Sequence, residues 1–241
     1  MPRNKTWGIS DPLVTVCTIN PSPGLCHVIA FFNEVGVVHT EVMNALKRAY
    51  GQAPATAVLC ALTILIYLLT VVESRSIEHN LSDSWIADHW TLYGPYSHGL
   101  GWLRMVGTVF LHSGPTHLAL NMFMLFFFGR EIEHYLGSGR FTLAYIVSGI
   151  GASATVLLMD PLAPTVGASG AVYGLMAIFV AMSYRLRRDL TAPLILIAVN
   201  VGYSLLMDGV SLWGHLGGLL TGCVLGIVLV IAQTTRGGKR G

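Results

Sequence analysis

Long stretches of this chain carry no charge, and their spacing predicts its elements. Runs free of Asp, Glu, Lys and Arg take up 24 residues between Arg48 and Glu73, 25 between Arg104 and Arg130, and 19 between Arg140 and Asp160. Three more follow, with 24 residues between Asp160 and Arg185, 18 between Asp189 and Asp208, and 27 between Asp208 and Arg236. A helix needs ~20 apolar residues to cross ~30 Å of hydrocarbon, and each run is rich in Leu, Val, Ile, Ala, Phe and Met. In lipid the backbone must satisfy its own hydrogen bonds, which a helix does within one segment. The pattern therefore predicts an all-α membrane protein, a bundle of six transmembrane helices. A seventh uncharged run, Pro12 to Asn33, holds Pro12, Pro21, Pro23 and Gly24. Proline breaks helix interiors, so this run is read as extramembrane.

Composition narrows the picture. Of 241 residues, 53% are hydrophobic and 11% charged, against roughly 25% charged in soluble domains, so an ordinary aqueous surface is excluded. A net charge of +2 gives no bulk-charge reason to expect a nucleic-acid partner. The four cysteines, Cys17, Cys26, Cys60 and Cys223, are too scattered for a disulfide framework. Cys17, Cys26, His27 and His39 match no familiar zinc spacing, and no metal or cofactor is expected.

The basic residues set an expected orientation. Arg3, Lys5, Lys47 and Arg48 precede the first span, Arg130 and Arg140 join the second to the third, Arg185, Arg187 and Arg188 join the fourth to the fifth, and Arg236, Lys239 and Arg240 close the chain. That puts 12 of 14 on one side, leaving Arg75 and Arg104 on the other. By the positive-inside rule both termini are cytoplasmic, and the cell membrane is the expected location. The chain then divides into a cytoplasmic extension (1–50), a membrane domain (51–235) and a basic tail (236–241). Met1 to Asp11 is polar and the first apolar block begins near Ala53, so the first span is expected to be retained rather than cleaved as a leader.

About 35 outer residues, Glu73 to about Val109, separate the first two spans, whereas the later connections are short. This loop holds Trp85, Trp90, Tyr93, Tyr96 and Trp102, aromatic rings suited to the headgroup zone. It reads equally as an interfacial anchor or as one of the long loops that carry function.

Polar groups at membrane depth are costly and face the bundle interior. His117 and Asn121 are four apart on the second span and share a face, with His112 near its start. On the fourth span Ser169 sits among small residues, behind Pro161, Pro164 and Gly167, which delay the helix start. On the sixth, His215 lies near the outer end. Ser169 and His215 fall at similar depth, and a serine hydroxyl becomes nucleophilic when a base takes its proton. Gly170 and Gly174 on one helix and Gly218 and Gly222 on the other repeat every fourth residue, a face that lets transmembrane backbones approach closely. Asn121, His117 and the unpaired backbone N–H groups at the start of the fourth span supply donors for an oxyanion. Asp208, at the turn before the sixth span, reads as a loop charge, which leaves a Ser-His dyad. Ser204 and Ser211, on the fifth span and in the following turn, are expected to leave the chemistry intact.

The segments GWLRMVGTVFLHSGPTHLALNMFMLFFFGREIE, VGASGAVYG and GHLGGLLTG, within about Pro54 to Ala232, resemble the signatures of the rhomboid family of intramembrane serine proteases. Leu103 stands between Trp102 and Arg104, which are adjacent in the family pattern. The resemblance implies a rhomboid-like bundle with Ser169 as nucleophile, His215 as base, and His117 and Asn121 in the oxyanion hole. It also implies that Tyr173 packs on the catalytic histidine and that His112 is a buried structural histidine. The implied reaction is hydrolysis of a peptide bond in or beside a substrate transmembrane helix, after a small side chain. The implied partners are single-span or other transmembrane proteins within the bilayer. Two rivals stand beside this reading. One is a catalytically silent rhomboid-like protein that binds transmembrane clients, against which Ser169 and His215 are both present. The other is a small transporter using His117, Asn121 and His215, against which the inner halves of the second and sixth spans, MFMLFFFG and VLGIVLVIA, offer no polar continuation.

Overall fold

The structure, a computed structural model, describes residues 51, 53–207 and 209–237, with 230–237 as backbone only. The expected extension over 1–50, the end of the basic tail and Asp208 lie outside the described residues. The chain is helical: α1 (Pro54–Ser74), two short loop helices α2 (Trp85–Trp90) and α3 (Arg104–Gly107), then α4 (Gly114–Leu136), α5 (Ser138–Met159), α6 (Ser169–Arg185), α7 (Thr191–Leu206) and α8 (Leu212–Gly237). Each of the six uncharged runs yields one long helix. By length and composition alone, three can cross a membrane: Pro54–Ser74, Ser138–Met159 and Leu212–Leu229. The other three fall short for reasons visible in their residues. α4 carries His117 and Asn121 and runs on to Arg130, Glu131 and Glu133. α6 has 17 residues because its start is held back to Ser169, and α7 has 16.

The distribution of side chains is that of a protein solvated by lipid. Large apolar residues stand exposed on α1, α4, α5, α7 and α8, including Leu65 at 53%, Leu158 at 81% and Leu206 at 82%. A water-soluble monomer rarely exposes so much contiguous apolar surface. The buried positions include Thr56, Thr63, Thr70, Ser148 and Ser153. Their hydroxyls allow close packing, and Thr63 and Thr70 donate back to the carbonyls of Leu59 and Tyr67 on their own helix. α6 is the central helix, buried at every position from Gly170 to Ile178. Phe128, Phe141 and Tyr145, with Leu125 and Ile132, fill the core beside it.

Glycine brings α6 and α8 together, the most extensive helix pair in the fold. A Cβ on Gly218 would strike the carbonyl of Gly170, and one on Gly222 would strike that of Gly174. The stripe read from the sequence is this contact.

A buried carboxylate fixes the opposite end of the bundle. The N-terminus of α1 has no side-chain cap of its own. Glu133 of α4 supplies one, accepting from Ala55 N (2.9 Å), Thr56 N (2.7 Å) and Thr56 Oγ1 (2.8 Å), and also from Ser138 Oγ (2.6 Å). The first N–H groups of a helix lack intrahelical partners, and hydrogen bonds to a carboxylate are about twice as strong as neutral ones.

The long loop is an ordered cap built on α2, α3 and three 3₁₀ turns. Arg104 donates to the Thr91 carbonyl (2.7 Å) with its guanidinium over the Tyr96 ring, so the residue next to Leu103 is tied into the loop. Asn80, fully buried, donates to Thr70 Oγ1 (2.7 Å) and to the His112 carbonyl (2.9 Å), and accepts from Gly114 N (2.9 Å). It thereby joins α1, the loop and the start of α4.

Candidate active site

Two features of the chain bring α6 to start at Ser169. Leu92 and Thr165 exchange backbone hydrogen bonds (3.1 and 2.9 Å), pinning the α5–α6 connection to the outer loop in extended form. Gly167 then adopts φ +126°, a value open to glycine, where a Cβ would press on the His117 ring. Thr108 accepts from Gly167 N through its carbonyl (3.0 Å) and donates its hydroxyl to the Thr165 carbonyl (2.6 Å). The helix begins with no side-chain cap, so its leading N–H groups are left unpaired by their own helix.

Ser169 Oγ lies 2.8 Å from His215 Nε2, joining residues 46 apart in sequence. His215 is buried on the first turns of α8, held there by the glycine contact between α6 and α8. The ring of Tyr173, one turn beyond Ser169, stacks on the imidazole at a centroid distance of 4.2 Å and an interplanar angle of 10°. His117 lies against Gly167, and its ring centroid is 5.0 Å from that of His112. Asn121, nine-tenths buried, donates to the His117 carbonyl one turn back (3.0 Å). His112 is fully buried and its Nε2 accepts from Ala168 N (3.3 Å), the residue before Ser169. Ser169, His215, Tyr173, His117 and His112 thus gather around the start of α6, whereas the side-chain amide of Asn121 is tied back to its own helix.

One residue read as a bystander also belongs to this group. Ser204 of α7 places its Oγ 2.6 Å from His215 Nδ1 and 3.1 Å from the Tyr173 hydroxyl. The expectation that both Ser204 and Ser211 stand apart from the chemistry therefore divides. Ser211 Oγ accepts from Gly214 N (3.2 Å) at the start of α8, whereas Ser204 touches the histidine. The sequence held a signal for it, since Asn200 and Ser204 are a polar pair four apart in a largely apolar span.

A small cavity opens beside Ser169, lined in part by Gly149, Ala152, Gly167, Gly170 and Gly214. Among the described residues, no group of three or more His, Cys, Asp and Glu side chains converges as a metal site.

Comparison with known proteins places the chain in a family. The family model for the Rhomboid domain matches residues 100–232. The chain is similar to Rhomboid protease GluP of Bacillus subtilis (strain 168), 31% identical over 195 residues, covering 79% of this chain and 38% of GluP. RHOMBOID-like protein 4 of Arabidopsis thaliana is 38% identical over 138 residues, 54% of this chain and 34% of that one. YdcA, also of Bacillus subtilis (strain 168), is 29% identical over 209 residues, 83% of this chain and 98% of its own length. The chain thus spans little more than a third of the first two relatives and nearly all of the third. The matched region runs from the outer loop through the histidines of α4 to both partners of the 2.8 Å contact, and with more than half its length inside that domain the chain belongs to the rhomboid family.

Proposed function

We propose that this integral membrane protein is a serine endopeptidase that hydrolyses peptide bonds in or next to the transmembrane helices of other proteins by a Ser-His dyad. The observation that carries the reading is the 2.8 Å contact between Ser169 Oγ and His215 Nε2 at an uncapped helix start. His215 takes the proton of Ser169 as Oγ attacks the substrate carbonyl. The oxyanion forms where the Ser169 N–H, Asn121 and His117 donate. The imidazolium then protonates the leaving amine, and water, deprotonated by the same histidine, releases the acyl group from Ser169. The small residues lining the adjacent cavity suit a substrate residue with a small side chain. The relatives named as proteases support the class of activity, and the positive-inside pattern supports a site open to the outside with both termini cytoplasmic, in the cell membrane.

A serine-directed phosphonate or isocoumarin tests the pair directly. It labels the wild-type protein at Ser169, and labelling collapses in Ser169→Ala and in His215→Ala. Equal labelling of wild type and His215→Ala would remove the histidine from the base role.

A further inference from the structure

We infer that Ser204 is a positioning residue that fixes the tautomer of His215, so that the catalytic unit extends through a neutral hydroxyl on α7. The inference rests on the protease reading of Ser169 and His215. It follows from counting protons and lone pairs at one buried oxygen. Ser204 Oγ has three polar neighbours: the Asn200 carbonyl at 2.9 Å, the Tyr173 hydroxyl at 3.1 Å and His215 Nδ1 at 2.6 Å. A serine hydroxyl has one proton and two lone pairs. The Asn200 carbonyl is an acceptor only, so the one proton of Ser204 goes to it. The two lone pairs then accept from the Tyr173 O–H and from the Nδ1–H of His215. With its proton on Nδ1, the neutral imidazole presents a bare Nε2 to Ser169, the form a general base requires. The opposite assignment, with Ser204 donating to Nδ1, sets two oxygen lone pairs against each other across 2.9 Å and turns Nε2–H toward Ser169.

Burial makes this arrangement selective. Ser204 is 4% exposed and is the buried residue of α7, the rest of that helix being partly or fully exposed. Away from water, a donor without its acceptor is costly, so removing the hydroxyl changes which tautomer is favoured and does not merely open a small void. Tyr173 holds the ring plane by stacking, and Ser204 sets which nitrogen carries the proton.

The test uses full-length protein in detergent with 15N-labelled histidine, the His215 resonances being assigned by their loss in His215→Ala. Wild type is expected to show Nδ1 protonated and Nε2 bare. Tyr173→Phe, which keeps the ring and leaves Ser204 in place, is expected to keep that tautomer. Ser204→Ala is expected to lose the preference and to lower kcat by about 10- to 100-fold with KM unchanged, less than the ~10²–10⁴ that a whole general base supplies, because His215 itself remains. Ser204→Thr, which restores a hydroxyl, is expected to recover both tautomer and turnover. An unchanged tautomer in folded Ser204→Ala overturns the inference, and so does an unchanged kcat. Neither result touches the protease reading, which fails separately if Ser169→Ala still cleaves a transmembrane substrate.

Discussion

A serine hydroxyl is a poor nucleophile until its proton has somewhere to go, and in this protein the acceptor is 2.8 Å away. In the reaction proposed above, Asn121 and His117 act on the charge that this pair creates. Asn121→Ala is expected to lower kcat by about 10- to 1000-fold, since one oxyanion donor can be worth ~3 kcal/mol while the others remain, and the protein is expected to stay folded. Single-turnover kinetics on Asn121→Ala and His117→Ala, with unchanged rates in both, would remove these residues from the site. Ser169, His215, His117 and Asn121 stood out in the sequence as candidates because polar groups are rare inside spans and therefore conspicuous. Ser204 was not legible as a partner of His215. Its contact depends on how α7 and α8 lie against each other, and spacing along one helix says nothing about that.

At the scale of elements, the glycine stripe and the Glu133 cap do different work. The stripe sets how close α6 and α8 lie, and so whether Ser169 reaches His215. In Gly218→Ala the added methyl meets the Gly170 carbonyl, an overpacking that costs about 1–3 kcal/mol. It also displaces the pair, and a 1 Å misplacement can cost ~10²-fold in rate. Activity is therefore expected to fall much further than thermal stability, and a variant that unfolds early but keeps full specific activity would contradict this. Glu133→Ala is expected to show the reverse. It strips Ala55 N, Thr56 N and Thr56 Oγ1 of their acceptor at the far end of the bundle, a destabilisation on the order of 3 kcal/mol, with little effect on turnover below the melting temperature. Denaturation midpoints and kcat measured on both variants separate the two cases. The helices themselves were readable from uncharged runs. The Glu133 cap was hidden, because a carboxylate at the end of a span looks like a boundary charge until the fold brings α1 beside it. The helices inside the outer loop were not readable, since α2, α3 and the 3₁₀ turns are too short to leave a periodic signal.

For the whole molecule, the exposed apolar surface and the site's place at one end of the bundle make orientation a functional matter. If the 12-to-2 split of basic residues sets the topology, cysteines placed in the loop between Glu73 and Gly101 are labelled from outside by an impermeant thiol reagent, and cysteines near Arg187 are not. The reverse pattern would overturn the orientation. The central claim, that Ser169 and His215 act as one hydrolytic unit on transmembrane substrates, is met most directly by a cleavage assay. Purified protein is reconstituted into liposomes with a single-span substrate, and wild type, Ser169→Ala, His215→Ala and the double variant are compared. Wild type is expected to cut the substrate in or beside its span. Each single variant is expected to be inactive and the double variant no worse than either, because residues acting as one unit are non-additive. Persistent cleavage by folded Ser169→Ala, with contaminating proteases excluded, would contradict the account and leave a client-binding rhomboid-like protein as the better description.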